Sequence, residues 1–425
     1  MNLYLGIDFG TTGARSTVID SQGMIHCETE YTFANNGQQQ PELPSVWQNA
    51  LWAVIEQIPP AIRNQVRAIA LDGTSSTVIL CNTDGIPVCE PILYNDGRGA
   101  AVTEKLRAIA PANHTVLSAT SSLAKLLWWQ EGGHGGTAPT VFLHQADWLA
   151  FLLHGKLGIS EYHNALKLGF DVDTLCYPNW LTQGIAGAAT PELPRVVAPG
   201  TPVREVRAQV GDRFGFPRDC MVCAGTTDSI AAFLASGVNL PGEAVTSLGS
   251  TLAVKLLSHT RVDDSRYGIY SHKLGDLWLV GGASNTGGAV LRHFFTDVEL
   301  QNYTTQIDPV QESLLDYYPL LKKGDRFPIN DPNLSPRLEP RPTDPVEFLH
   351  GLLESIARIE AWGYQLLQEL GATPLTKVYT AGGGAKNLVW SAIRKRYLKV
   401  PVETPIHTAA AYGVALLAMR GAMGI

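Results

Sequence analysis

Asp8-Phe9-Gly10-Thr11-Thr12 sets a carboxylate, a glycine and two hydroxyls side by side. Apolar runs flank it, residues 3–7 before and 17–19 after, so the pattern predicts strand, tight turn, strand. A carboxylate at the tip of a buried strand is costly unless it holds a cation or a proton. The glycine and threonines beside it offer backbone N–H and hydroxyl groups to phosphate oxygens. An ordinary hairpin whose Asp caps its own turn is the plainer reading of the same residues. Two distant segments add to the choice: Gly225-Thr226-Thr227-Asp228 and Gly382-Gly383-Gly384-Ala385-Lys386-Asn387.

Asp228 follows an apolar strand and opens an apolar helix predicted over 229–235. A carboxylate at a helix N-terminus is stabilised there. It can serve as a cap, or it can take a proton from a substrate hydroxyl. Gly382 to Gly384 let a backbone come close to a ligand, or simply make a turn. Gly281-Gly282 and Gly287-Gly288, around Ala283-Ser284-Asn285-Thr286, invite the same two readings. No G-x-x-x-x-G-K-[ST] occurs, and no G-x-G-x-x-G opens a helix after the first strand. Phosphate binding must therefore use turns of another design.

The elements that would position these residues alternate. Strands are predicted at 4–7, 16–20, 68–71, 78–81 and 221–224, and helices at 46–56, 101–109 and 147–153. That mixture argues for α/β layers. The polar turn Asp20-Ser21-Gln22-Gly23 makes the sheet mixed rather than purely parallel. A second strand-rich start comes after Pro241-Gly242. Its centre, Leu248-Gly249-Ser250-Thr251, echoes Phe9-Gly10-Thr11-Thr12, which suggests an internal duplication with one phosphate turn in each half. The division expected is 1–242 and 243–425. Residues 324–345, rich in Pro, Asp and Arg, read as an ordered excursion anchored by Phe327, Leu334 and Leu338. Asp344 and Pro345 then suit the N-cap and first turn of a helix. A strand at 377–380 leads into the glycine run, and a helix begins after Asn387.

The 425 residues exceed one compact core, so two domains are the natural division. A hydrophobic content of 45% with 17% charged residues describes a globular chain with filled cores. The net charge of −7, without a basic block, argues against nucleic acid as a partner. Apolar stretches such as 409–419 are too short to span a bilayer, and no targeting segment is expected. Six cysteines make no disulfide framework in a chain of this length. Cys220 and Cys223 read as buried structural thiols in a strand, with a redox or metal role as the alternative. The cytosol or another reducing compartment fits. Trp47 and Trp52 read as core, with stacking on a sugar as the alternative.

These segments carry a resemblance. Asp8-Phe9-Gly10-Thr11-Thr12-Gly13-Ala14-Arg15 resembles the first phosphate motif of the FGGY carbohydrate kinases, within the actin-like ATPase superfamily. Gly225-Thr226-Thr227-Asp228 resembles that family's catalytic-base motif. Leu248-Gly249-Ser250-Thr251 resembles its second phosphate motif, and the run from Ala381 to Asn387 its adenosine motif. Tyr94-Asn95-Asp96-Gly97-Arg98, Lys125-Leu126-Leu127-Trp128-Trp129 and Asn164-Ala165 match in order between them. The resemblance spans nearly the whole chain. It implies an α/β fold of two ribonuclease H-like domains around a central cleft, with ATP and Mg²⁺ as cofactors. It places Asp8 near Mg²⁺ and the transferring phosphate, with Thr11, Thr12, Gly13 and Arg15 beside the phosphates. Asp228 would deprotonate the sugar hydroxyl. Gly249, Ser250, Gly288, Gly383, Gly384 and Asn387 would contact the nucleotide, with Trp390 flanking its base or packed in the core.

The sugar side is narrower. Xylulose kinases of the family usually carry Gln-Met-His-Gly after the third strand, and glycerol kinases an Arg-Glu pair. Here the stretch is Leu71-Asp72-Gly73-Thr74-Ser75-Ser76-Thr77, which looks more like the ribulose-phosphorylating branch. Asp72 and Ser75 are short groups that leave room for a sugar and can bond its hydroxyls, or they form a structural Asx turn. The expected activity is ATP-dependent phosphorylation of a ketopentose, D-ribulose before xylulose or another polyol. An actin-like ATPase that phosphorylates no small molecule is the reading from another class. The oligomeric state is not legible in the chain.

Overall fold

The computed structural model describes residues 1–33, 42–134, 136, 138–187 and 190–425. Contacts divide it into two compact units: Met1–Ala235 with Ala409–Ile425, and Ser236–Thr408.

Among the described residues of unit 1, the main sheet comprises β1 (Leu3–Phe9), β2 (Gly13–Asp20), β3 (Ile25–Thr32), β4 (Val66–Gly73), β9 (Pro202–Glu205), β10 (Met221–Cys223) and β11 (Thr226–Thr227). Its order is β3-β2-β1-β4-β10-β9, with β11 also on β4. β1 pairs antiparallel with β2 and parallel with β4. Two short ladders accompany it: β5 (Val78–Asn82) with β6 (Thr140–His144), and β7 (Ile159–Glu161) with β8 (Arg195–Val197). The β2–β3 turn forms as its residues demand: Asp20 Oδ1 accepts from Gln22 N at 2.9 Å and Met24 N at 3.0 Å, and Gly23 adopts φ +79°.

Unit 2 repeats the plan with β12 (Glu243–Leu248), β13 (Leu252–Ser258), β14 (Tyr270–Leu274), β15 (Leu277–Ser284), β16 (Lys377–Ala381) and β17 (Val402–Glu403). The order is β14-β15-β13-β12-β16-β17. An antiparallel hairpin, a third antiparallel strand, a parallel neighbour of the first strand and a further strand parallel to that neighbour occur in both units. The echo between the Gly10 and Gly249 turns therefore extends to whole-sheet topology. In each unit the turn comes after the first strand, and the next parallel strand carries the second set of candidate residues.

Both faces of the unit 1 sheet are covered, which is why β1 is buried along its whole length. Trp47, Trp52 and Trp148 fill one face with Leu5, Ile7, Leu51 and Phe214, so Trp47 and Trp52 are core residues. Cys220 and Cys223 are free, buried thiols on β10 and just before it, and burial pushes both upward, Cys223 to about 12. The other face is covered by the last helix, Ala410–Met423. By contacts this helix groups with unit 1, although it lies well beyond the 242/243 division in the chain.

The reason is close backbone approach. A Cβ on Gly6 would lie 2.1 Å from Ala411 O and 2.3 Å from Ala415 N. A Cβ on Gly413 would lie 1.8 Å from Ala231 O. The last helix is thus wedged, through small residues, between the strand that carries Asp8 and the helix that begins at Asp228.

Unit 2 has cores on the two sides of its sheet. Its long helix, Pro345–Glu369, starts as its residues dictate: Asp344 accepts from Val346 N at 2.9 Å and Pro345 occupies the first turn. A buried ion pair crosses from this helix to the next. Arg394 Nε and Nη2 donate to Glu360 at 2.6 and 2.7 Å, and Arg394 Nη1 donates to Thr380 Oγ1 at 2.7 Å.

Replacing Gly413 by Ala should push the last helix off its neighbour. The expected loss is about 1–3 kcal/mol, typical of overpacking. Urea denaturation checks it, and an unchanged midpoint would count against this packing.

Candidate functional site

In unit 1 the parallel register sets Asp8 of β1 abreast of Asp72 of β4, and Asp72 abreast of Thr226 of β11. Two residues past Thr226, Asp228 opens the helix Asp228–Ala235 and accepts from Ser229 N at 2.7 Å. Asp228 is half-buried, Asp8 is buried, and Asp72 has no exposed surface. Burial raises the Asp8 carboxyl, while the neighbouring Asp72 carboxyl and Arg15 pull the other way. Asp72 is held well above the usual range by burial first, then by the charge of Asp8, with Asp228 adding to it. The groups that approach the Asp72 carboxyl are the Asp8 carboxyl and the Phe9 backbone.

The turn beyond Asp8 is open. Gly10 N donates to Gly13 O at 3.0 Å and closes it, leaving Thr11 and Thr12 exposed. Arg15, paired in register with Asp8, has Nη1 3.9 Å from Asp8 Oδ2 and Nη2 3.3 Å from Glu30 Oε1. Gly13 has a structural duty of its own, since a Cβ there would lie 2.3 Å from Tyr31 O on β3.

Past Asp72 the chain turns through Thr74–Thr77, and buried polar groups hold the turn. Gln145 Oε1 accepts from Thr74 N and from Thr74 Oγ1, each at 3.1 Å. Thr74 and Thr77 hydroxyls lie 2.6 Å apart. Ser76 takes the left-handed conformation with φ +66°. Lys125 Nζ donates to Ser76 O at 2.7 Å and to Leu93 O at 2.8 Å. Ser75 is left as the half-open residue of the turn, while Ser76 Oγ and Thr227 Oγ1 are buried without partners. The sequence marked Lys125 only as a landmark and missed Gln145. A lysine inside the run Leu-Ala-Lys-Leu-Leu was the available signal, because an unpaired charge rarely enters such a helix.

A second buried layer lies behind β11. His163 Nδ1 is 2.8 Å from Thr226 Oγ1. Glu161 accepts from His163 N at 2.6 Å and Asn164 N at 2.8 Å, and burial lifts its carboxyl to about 8.

Unit 2 gathers the other candidates. β16 pairs parallel with β12, so Ala381 stands opposite Ser247, and the Gly382–Gly384 turn emerges beside the Gly249–Ser250 turn. Gly288 N donates to Gly249 O at 2.9 Å, and Ala289 N donates to Ser250 O at 3.0 Å. A Cβ on Gly383 would meet nothing within 4 Å, whereas one on Gly384 would meet Leu248 at 2.6 Å and the Trp390 ring at 2.9 Å. Trp390 is buried and donates to Leu353 O at 3.1 Å, so it backs the glycine run from the core. Asn387 Oδ1 caps the adjoining helix through Trp390 N at 2.8 Å. Gly281 and Gly282 are strand residues packed on Val254 and Phe327 rather than an open loop.

Three acidic groups whose charges oppose one another, one of them fully buried, form a site that a cation would relieve. Among the described residues no three metal-ligating side chains converge. A Mg²⁺ there would draw most of its ligands from phosphate oxygens and water, as that ion commonly does.

Lys125 carries a pH signature. Burial lowers its ammonium from 10.5 to about 7. Both acceptors are carbonyls, and a neutral amine still has two hydrogens to give them. Between pH 7 and about 10 the unfolded chain therefore binds a proton that the folded chain does not, so this group makes stability rise with pH across that window. Lys125→Met should flatten the rise and take the side-chain donor from Ser76 O and Leu93 O, the latter keeping Asp96 N. Urea midpoints measured across this range test it; equal slopes in both proteins would refute the assignment.

Models of two domains match the chain. The N-terminal domain of the FGGY family of carbohydrate kinases covers residues 3–235, and the C-terminal domain of the same family covers 244–422. The xylulose kinase of Streptomyces coelicolor is 26% identical over 435 residues, covering 95% of this chain and 84% of that protein. Among solved structures, the xyloylose kinase from Brucella ovis superposes with a TM-score of 0.86 at 22% identity, covering 100% of this chain and 91% of the other. The gluconate kinase from Lactobacillus acidophilus gives 0.85 at 17% identity, covering 100% and 89%. These structural likenesses show the fold, and they agree with the duplicated sheets described above. Among the described residues no helix is long and apolar enough to cross a membrane. With both domain models matched in order over nearly its whole length, the chain belongs to the FGGY family of carbohydrate kinases.

Proposed function

We propose that the protein transfers the γ-phosphate of ATP to a hydroxyl of a ketopentose, D-ribulose first. The observation that carries this reading is the register of β1, β4 and β11. It brings Asp8, Asp72 and the start of the Asp228 helix to one end of the unit 1 sheet.

Asp228, half-buried at a helix start, takes the proton of the sugar hydroxyl. The freed oxygen bonds to the γ-phosphorus as the bond to the β,γ-bridging oxygen breaks, and ADP leaves. Thr11, Thr12, Gly13 and Arg15 of unit 1 bind phosphate oxygens. Gly249, Ser250, Gly288, Gly383, Gly384 and Asn387 of unit 2 bind the nucleotide, Gly383 having the open space for a close approach. Asp8 would hold the Mg²⁺ that accompanies ATP; when bound, it neutralises charge on the β- and γ-phosphates. Ser75 presents its hydroxyl to the sugar, and Asp72 acts from beneath, next to Asp8.

The sugar assignment rests on the Asp72–Thr77 turn, whose short polar residues are held in place by Gln145 and Lys125. A xylulose reading is favoured by a separate observation, the xylulose kinases among the relatives. Release of ADP measured across D-ribulose, L-ribulose, xylulose and a set of polyols separates the two. D-ribulose should give the highest kcat/KM. ADP release that is independent of any sugar would overturn the kinase reading.

Asp228→Asn should lower kcat by about 10²–10⁴-fold, the usual contribution of a positioned base, with ATP binding kept. Asp8→Ala should abolish turnover. Wild-type rates in either variant would remove that residue from the mechanism.

A further inference from the structure

The Pro-, Asp- and Arg-rich excursion that begins at Gly324 has a place in unit 2 that the proposed chemistry does not use. Asp325 is 2% exposed, and its carboxylate accepts four hydrogen bonds. Ser284 Oγ donates to Oδ2 at 2.8 Å and Tyr318 OH to Oδ2 at 2.6 Å. Asn285 N and Arg326 N donate to Oδ1, each at 2.7 Å. The Asn285 side chain returns the contact: its Nδ2 donates to Gly324 O at 2.9 Å, and its Oδ1 accepts from Arg326 Nε at 3.0 Å.

Phe327, two residues on, seats the excursion by shape. It is fully buried, and its ring occupies space left by two glycines. A Cβ on Gly282 would lie 2.5 Å from the ring, and one on Gly363 would lie 2.6 Å away. Asp325 is therefore delivered to the end of β15 by packing, and its carboxylate there engages the segment 284–289.

That segment is tied in turn to the start of β13 and to the turn before it. Thr286 N donates to Ser284 Oγ at 3.2 Å, and Leu252 N donates to Thr286 O at 2.7 Å. Gly288 N and Ala289 N donate to Gly249 O and Ser250 O. A continuous run of hydrogen-bonded residues thus leads from the Asp325 carboxylate, through Ser284, Asn285 and Thr286, to the Gly249–Ser250 turn.

We propose that Asp325 is a positioning residue for the nucleotide: it fixes the 284–288 loop and, through it, the Gly249–Ser250 phosphate turn. This rests on the reading of that turn as a nucleotide site. A carboxylate suits the task because it offers about four lone-pair sites and no hydrogens, and four donors converge on it. An amide can still accept from the two backbone N–H groups, and its NH₂ can face the two hydroxyls. Asp325→Asn is therefore the conservative rescue, and Asp325→Ala the full loss.

The experiment uses the whole chain, with ADP titrated by calorimetry and KM measured separately for ATP and for the ketose. Asp325→Ala should weaken ADP binding and raise the KM for ATP by about ten- to hundredfold, the worth of losing a charged hydrogen-bond acceptor. The KM for the ketose should stay within about twofold of wild type, a difference well under 1 kcal/mol. Asp325→Asn should recover most of the affinity. Where Asp325→Ala does not fold, Tyr318→Phe and Ser284→Ala, each removing one donor, should show the same selective loss on a smaller scale. Variants that lose thermal stability while both KM values and ADP affinity stay at wild type would overturn the proposal, as would a loss confined to the ketose. A wild-type protein that does not bind ADP would overturn the nucleotide site itself, and this inference with it.

Discussion

The parallel pairing of β1 with β4 is the constraint on which the site in unit 1 depends. It places two carboxyls opposite each other on adjacent buried strands, Asp8 against Asp72, where water cannot reach the second. Such a pair is unfavourable for folding alone, because both groups resist ionisation in that setting. Everything around it limits the cost or exploits it. β11 joins the other side of β4 at the same end and leads into Asp228, while the last helix locks β1 and the Asp228 helix by backbone contact at Gly6 and Gly413. The proposed chemistry would use that cost, because a cation or a proton brought close to the pair relieves it.

The two units solve the problem of holding a turn in different ways. In unit 1 the turn after β4 is held from below by neutral or weakly charged groups, Gln145 and a lysine whose charge is suppressed by burial. In unit 2 the turn after β12 is held by a neighbouring loop, and that loop by a carboxylate with all its lone pairs engaged. Either device makes a backbone turn rigid without a side chain that points at the ligand. A glycine-rich turn needs such support, because glycine loses more conformational freedom on ordering than any other residue.

Much of this was legible in the chain. The Gly10 turn, the start of the helix at Asp228, the helix after Asp344 and the glycine run all formed where local chemistry placed them, because caps, turns and strand alternation are short-range properties. The duplication was legible too, since the echo at Gly249 needs only a few residues. Other features were not. Gly281-Gly282 reads as a close-approach loop or a turn, yet it is a strand hollowed out to receive Phe327 from more than forty residues away. Asn387 reads only as a ligand contact, and the fold also gives its Oδ1 the cap of the helix through Trp390 N.

The sequence by itself determined the elements, the turns and the family, because each is encoded in residue type at short spacing. Tertiary structure decided which of those residues meet. Asp8, Asp72 and Thr226 are aligned only by strand register, and a one-residue slip would turn them to the opposite face. The place of the last helix was decided in the same way. Its apolar stripe fits many surfaces, and only missing side chains at Gly6 and Gly413 let it approach this one. Lys125 and Asp325 likewise acquired their duties from burial, which no local pattern records: burial lowers the ammonium of the first, and the second was given four donors by the fold.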